Sequence, residues 1–185
     1  MSSRVGPLLD LLEELQSLDR VPRLGYAQRG VADPESVSEH SFHVVFLVWA
    51  LGADVEGLDR LRALELALVH DLAEVRFGDL PRTAAHYLPE GAKAEAELRA
   101  LADLLAPLGG RREELLAEYQ GRRTLEARFV AVCDKLQLLI KAGVYERWRA
   151  GAVKEFVDAL EHFDDDGFGI VEALAGELRR RRRGP

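Results

Sequence analysis

Between Thr124 and about Trp148 the apolar residues Leu125, Phe129, Val132, Cys133, Leu136, Leu139, Ile140 and Val144 recur at steps of three and four. That spacing keeps one side of a helix continuously apolar, whereas a strand would show alternation. The stretch predicts a long buried helix, with Asp134 in its middle beside the apolar face. The same period returns along the chain. Leu8, Leu11, Leu12, Leu15 and Leu18 predict an amphipathic first helix ending before VPRLG. In SVSE, Ser36 and Glu39 have capping-box spacing, which puts His40 in the first turn of a helix that runs through Val44, Val48 and Leu51 to Gly52. A third helix is predicted from about Asp59 through Leu61, Leu64, Leu68 and Leu72, with Gly78 as its terminator. Weaker signals place helices over 90–106 and 111–120, and two more near 153–163 and 168–183 flank the acidic DDDG turn. Residues 20–35, with two prolines and two glycines, read as a long loop of the kind that often carries function. No repeat and no alternating pattern interrupts this, so the expected fold is all-α, one helical bundle domain over residues 1–185.

The length of 185 residues suits one domain, and 48% hydrophobic with 31% charged residues marks an ordinary globular chain. A net charge of −7 argues against nucleic acid as a partner, so a small anionic ligand would need a local cation to meet it. No uninterrupted apolar run approaches the about 20 residues that cross a bilayer, and acids interrupt the leucines of the N-terminus as they would not in a signal peptide. No membrane is expected as a partner. The lone Cys133 excludes an intramolecular disulfide and suits a reduced cytosol, hence a cytoplasmic protein.

The stretch LVHDLAEVRFGDLP sets His70, Asp71, Glu74 and Asp79 within ten residues of an otherwise apolar helix. Buried ionisable groups are costly unless they are paired or hold a metal. With His40 and Asp134, the pair His70 and Asp71 makes a four-ligand set drawn from three predicted helices. Mixed imidazole and carboxylate donors suit a borderline divalent cation, and four of them leave two octahedral positions open. Glu74, one turn after His70, could reach a water there without ligating. Other candidates read more plainly. His43 packs or hydrogen-bonds nearby, His86 and His162 lie on the surface or in loops, Cys133 fills the core, and Tyr26, Phe77 and Tyr87 pack more readily than they line a base pocket. The arginine run 179–183 reads as a solvated tail at a helix end, and Asp164 to Asp166 as a turn.

An HD dipeptide alone is a weak signal, but its surroundings are more specific. RVPRLGYAQRGVADPESVSEHSFHV, then HDLAEVRFGDLP, then CDKLQ resembles the HD-domain metal-dependent phosphohydrolases, in particular the bacterial 5′-deoxynucleotidases and their relatives, over roughly residues 8–150. The resemblance implies a metal-site core over about 36–150 with His40, His70, Asp71 and Asp134 as ligands of one divalent ion (Mn, Co, Fe, Ni, Zn or Mg). It implies Glu74 as the catalytic acid, Asp79 as the residue at the sugar 3′-hydroxyl that also helps arrange the nucleophile, and Arg20 at the substrate phosphate. The expected reaction is attack of an activated water on the 5′-phosphorus of a nucleoside monophosphate, in a homodimer. Val21 stands where those nucleotidases carry a Trp that helps exclude ribonucleotides, so deoxy selectivity does not carry over with the rest. Val75 after Glu74 departs from the Glu-Asp pair of guanosine tetraphosphate hydrolases. The alternatives are a pyrophosphohydrolase of nucleoside triphosphates, a hydrolase of another phosphorylated metabolite, and a metal-binding module without turnover.

Overall fold

A computed structural model describes residues 2–183, which form eleven α-helices. These are α1 (Ser2–Leu15), α2 (Leu24–Ala27), α3 (Val37–Leu51), α4 (Arg60–Val69), α5 (Glu74–Phe77), α6 (Arg82–Ala85), α7 (Ala92–Leu105), α8 (Glu113–Gly121), α9 (Leu125–Trp148), α10 (Lys154–Asp158) and α11 (Gly169–Arg183). The fold is all-α. Among the described residues the only extended pairing is an isolated antiparallel bridge between Pro22 and Ser36.

Helix starts follow local chemistry. Ser36 Oγ accepts from the Glu39 N–H at 3.2 Å while Glu39 Oε2 accepts from the Ser36 N–H at 2.7 Å, a complete capping box on α3. Asp59 caps α4 through the Arg62 N–H, and Thr124 caps α9 through the Ala127 N–H. Each such cap is worth about 1 kcal/mol. The long apolar segment forms α9, which packs against α3, α4, α8, α10 and α11. Phe129, Val130 and Leu136 of α9 are fully buried with Val44 of α3, Leu66 of α4, Leu101 of α7 and Val171 of α11, so one apolar cluster joins elements from both ends of the chain.

The structure corrects two sequence expectations. The loop over 20–35 contains the short helix α2, whose Tyr26 is buried with Val31, Tyr145 and Val157 and donates to the Leu138 carbonyl at 2.7 Å. The helix expected from Asp59 to Gly78 breaks at residues 70–73. Its cause is a side chain: His70 Nδ1 bonds the Ala67 carbonyl at 2.7 Å, the acceptor that an unbroken helix offers to the Asp71 N–H. The bonds that follow reach back only three residues, as in Glu74 N–H to Asp71 O at 3.0 Å, before Gly78 ends α5 with φ 78°. Two adjacent residues, His70 and Asp71, thereby face one point, which a regular helix with its 100° step would not allow.

The second cluster depends on one close backbone approach. Gly151 has φ +79°, and a Cβ there would lie 2.7 Å from the Arg29 carbonyl oxygen and 2.8 Å from the Val31 nitrogen. The next residue ties down the same strand of chain, the Ala152 N–H donating to Arg29 O at 2.7 Å. Gly151→Ala is therefore expected to cost about 2–5 kcal/mol, a left-handed backbone of about 1–2 and overpacking of about 1–3. Urea denaturation reads it, and an unchanged midpoint would contradict this packing.

Candidate metal centre

Three packed helices bring four candidate donors into one neighbourhood. His40 enters from the first turn of α3 and is fully buried, His70 from the end of α4, Asp71 from the turn after it, and Asp134 from the middle of α9. His40 Nε2 lies 3.3 Å from His70 Nε2, 3.5 Å from Asp71 Oδ2 and 3.2 Å from Asp134 Oδ1, while His70 Nε2 is 3.3 Å from Asp71 Oδ2. Donor atoms of His40, His70 and Asp71 all lie within 4.8 Å of one another. The second oxygen of Asp134 accepts from the Tyr119 hydroxyl at 3.0 Å, so Oδ1 is left to the centre.

Whether a cation fits here follows from where the imidazole protons sit. His70 Nδ1 faces a carbonyl oxygen, that of Ala67, and must donate to it. His40 Nδ1 faces Gln137 Oε1 at 2.6 Å, and that amide is oriented by its nitrogen, which donates to the Glu35 carboxylate at 3.0 Å. Both Nδ1 atoms therefore carry protons, and the two Nε2 lone pairs point at each other beside two carboxylates. Such a group demands positive charge between its members. A proton meets part of the demand: burial disfavours the imidazolium, but Asp71 and then Asp134 outweigh it and raise His70 to about 9. Burial also works against ionised carboxylates, yet His70 and Arg23 hold Asp71 well below the usual range and His40 brings Asp134 down to about 2. A divalent cation can meet His40, His70 and Asp71 at once, with Asp134 against His40, which one proton cannot, so the residues fit a metal.

Around the donors lie further ionisable groups. Glu74 is 3% exposed and its Oε2 makes no hydrogen bond. Burial, with Asp71 and Asp79 nearby, pushes this carboxyl up to about 10. Asp79 accepts from the Leu24 N–H at 2.6 Å and lies 3.3 Å from Arg23 Nη1, which also approaches Asp71 Oδ2 at 3.5 Å. These residues line a cavity of about 1010 Å³. Tyr26, Leu138, Leu139 and Phe156 give it an apolar wall, and Lys93, Arg122 and Lys135 are cations on its sides.

An HD domain profile matches residues 15–164, a span that contains every donor just described. The chain belongs to the HD-domain family. This HD domain is 34% identical over 158 residues to the human protein named 5′-deoxynucleotidase HDDC2, across 82% of the chain and 76% of the human one. It is 30% identical over 152 residues to the 5′-deoxynucleotidase hdd1 of Schizosaccharomyces pombe, across 79% and 74%. Among solved structures, a conserved hypothetical protein from Pyrococcus furiosus superposes with a TM-score of 0.81 at 36% identity, covering 93% of this chain and 99% of that one. A protein from Magnetospirillum magnetotacticum titled a predicted metal-dependent phosphohydrolase reaches 0.67 at 24% identity, covering 97% of each chain, a likeness of fold.

The HD domain brings together six of the seven residues singled out from the sequence and leaves Arg20 outside. Arg20 is exposed and borders a separate depression with Asp19, Asp33 and Glu39, and the cavity takes Arg23 in its place. The reason is the bridge between Pro22 and Ser36: the chain turns extended at Val21, and the Arg23 N–H is fixed on the Glu35 carbonyl at 2.9 Å, so residues 20 and 23 face opposite sides. Gln137 and Glu35 were not singled out either, although they fall inside the CDKLQ and DPESVSEH stretches. His162 sits in an exposed turn but lines the outer cavity wall, as Tyr26 lines its interior, whereas Phe77 and Tyr87 are exposed outside it. His43 and His86 are exposed, and Cys133 is buried with its thiol pushed up to about 12 by burial and Asp134. The arginine run ends α11 with Arg180, Arg181 and Arg183 solvated: Arg180 and Arg181 pair along the helix with Glu177, while Arg183 meets Glu161 and Arg182 meets Asp158 at 2.7 Å because acidic residues of α10 and its following turn lie against α11.

Proposed function

We propose that this HD domain is a metal-dependent 5′-nucleotidase that releases phosphate from nucleoside 5′-monophosphates, deoxynucleotides included. The observation that carries this is the unpartnered buried Glu74 carboxyl oxygen in a cavity that also holds His70, Asp71, Asp134, Asp79 and Arg23. The names of the human and yeast relatives supply the nucleotide. The residues that would hold a divalent ion are His40, His70, Asp71 and Asp134, and the ion would supply charge to polarise the phosphoryl oxygens and acidify water. Glu74 orients the attacking water and takes its proton, with Asp79 as the second acid. A new phosphorus–oxygen bond forms as the bond to the 5′-oxygen breaks, and the proton passes to the departing alcohol. Arg23 Nε and Nη2 make no hydrogen bond among the described residues, which leaves two donors for the phosphate. Tyr26, Leu138 and Phe156 suit the nucleoside.

The test is phosphate release from dAMP and AMP, and from dUMP and UMP, by metal-stripped protein refilled with Mn, Co or Mg. Release with metal alone is expected, with KM raised about 10–100-fold in Arg23→Met and unchanged in Arg20→Met. No release with any metal would overturn the reading. A second reading, pyrophosphohydrolysis, is favoured by the cavity volume of about 1010 Å³, at the upper end of ordinary ligand sites. Pyrophosphate or triphosphate as product would establish it.

The homodimer expected from the resemblance has a candidate face. Phe42, Phe46 and Trp49 are 64%, 52% and 56% exposed in one line on α3, and residues 40–50 contain no Lys, Arg, Asp or Glu. A neutral aromatic face is best covered by a like face, a second copy in two-fold contact. Sedimentation should give a dimer for the wild type and a monomer for Phe46→Glu. No described helix is long and apolar enough to cross a membrane, and the lone buried thiol suits the cytoplasm as the compartment.

A further inference from the structure

We propose that Glu35 is a positioning residue of the metal centre, acting through Gln137 on His40. This rests on reading His40, His70, Asp71 and Asp134 as metal ligands. The Glu35 side chain is completely shielded from solvent. Its Oε2 accepts from Gln137 Nε2 at 3.0 Å and lies 3.6 Å from Lys141 Nζ, while its Oε1, 4.0 Å from His40 Nδ1, has no hydrogen-bond partner. One amide donor and a long ammonium contact are thin compensation for a buried carboxylate, which is therefore a poor device for stability alone.

What the carboxylate does achieve is orientation. Glu35 Oε2 accepts from the Gln137 NH₂, which holds that amide with its carbonyl turned to His40 Nδ1 at 2.6 Å. That carbonyl keeps the proton on Nδ1 and the lone pair on Nε2, among the donors. Without Glu35 the amide can rotate and offer NH₂ to Nδ1, which sends the imidazole proton to Nε2, in competition with the metal. The position of Glu35 is itself fixed on both sides: its N–H donates to the Tyr145 hydroxyl oxygen at 2.7 Å, and its carbonyl accepts from the Arg23 N–H. The same residue thus orders one metal ligand through its side chain and the Arg23 segment through its backbone.

The experiment titrates Co²⁺ into the metal-stripped full chain by calorimetry, with circular dichroism as the check on folding. Glu35→Met and Gln137→Met should each bind Co²⁺ about 10–100-fold more weakly than wild type, the usual effect of removing an outer partner of a ligating histidine. The double variant should bind no more weakly than Gln137→Met alone, since Glu35 has nothing left to orient. A purely structural role would lower the melting temperature and leave the affinity unmoved. Unchanged affinity in Glu35→Met, or losses that add in the double variant, would overturn the proposal. If Glu35→Met does not fold, Glu35→Gln takes its place, and its loss must vanish in the Gln137→Met background. A wild-type chain that binds no Co²⁺ would instead remove the metal-centre reading beneath it.

Discussion

Glu74→Gln is expected to slow phosphate release by about 10²–10⁴-fold while leaving metal affinity in place. The substitution keeps the shape of a side chain that is 3% exposed and removes only its capacity to take up a proton. Wild-type Glu74 is a poor base by itself, because burial and the neighbouring Asp71 and Asp79 push it up to about 10. Positive charge held by the adjacent donors works in the opposite direction and brings the carboxyl toward the range in which it can accept from water near neutrality. Glu74 and the donor set are thus interdependent for catalysis and independent for binding. The decisive comparison is kcat with dAMP at saturating metal against calorimetric metal affinity in the same preparation. Full turnover in Glu74→Gln would remove Glu74 from the chemistry.

Refilling the stripped protein with Mn or Co at a hundred times its dissociation constant should raise its stability by about 2.7 kcal/mol. For a chain of this size that is about 5–11 °C in melting temperature. Two imidazole nitrogens 3.3 Å apart and two carboxylates are held together at a cost that a divalent cation relieves in the folded state only. Asp71→Ala should abolish the gain, since it removes the one carboxylate that faces both imidazoles. Differential scanning fluorimetry with and without metal reads both results. A gain retained in Asp71→Ala would place the bound ion elsewhere on the chain.

What could be read from the sequence was local or strictly periodic. The Ser36 and Glu39 box depends on three-residue spacing alone, and α9 on an apolar repeat that nothing interrupts. His40, His70, Asp71 and Asp134 stood out because ionisable residues in apolar helices need a reason to be there. The break at residues 70–73 was hidden because Leu72 continues the leucine repeat across it, and its cause is an imidazole taking a backbone acceptor. Arg20 and Arg23 could not be told apart in a segment without periodicity, where a bridge to Ser36 fourteen residues on decides which arginine faces inward. Gln137 carried a usable signal, being one turn from Asp134 on the buried side of α9, whereas a glutamate in a proline-containing loop, as Glu35 is, reads as solvated.

The break after α4 and the position of Asp134 on α9 have a consequence for biosynthesis. The donors at 40, 70 and 71 are made early, but the fourth arrives at position 134 of 185, on a helix that needs the completed bundle to stay buried. On the proposed ligand set, a nascent chain still lacking α9 would have two imidazoles and one carboxylate without Asp134 or the bundle that fixes them, so metal loading would follow synthesis of α9. The ion would then be a late addition, tying together segments that translation separates.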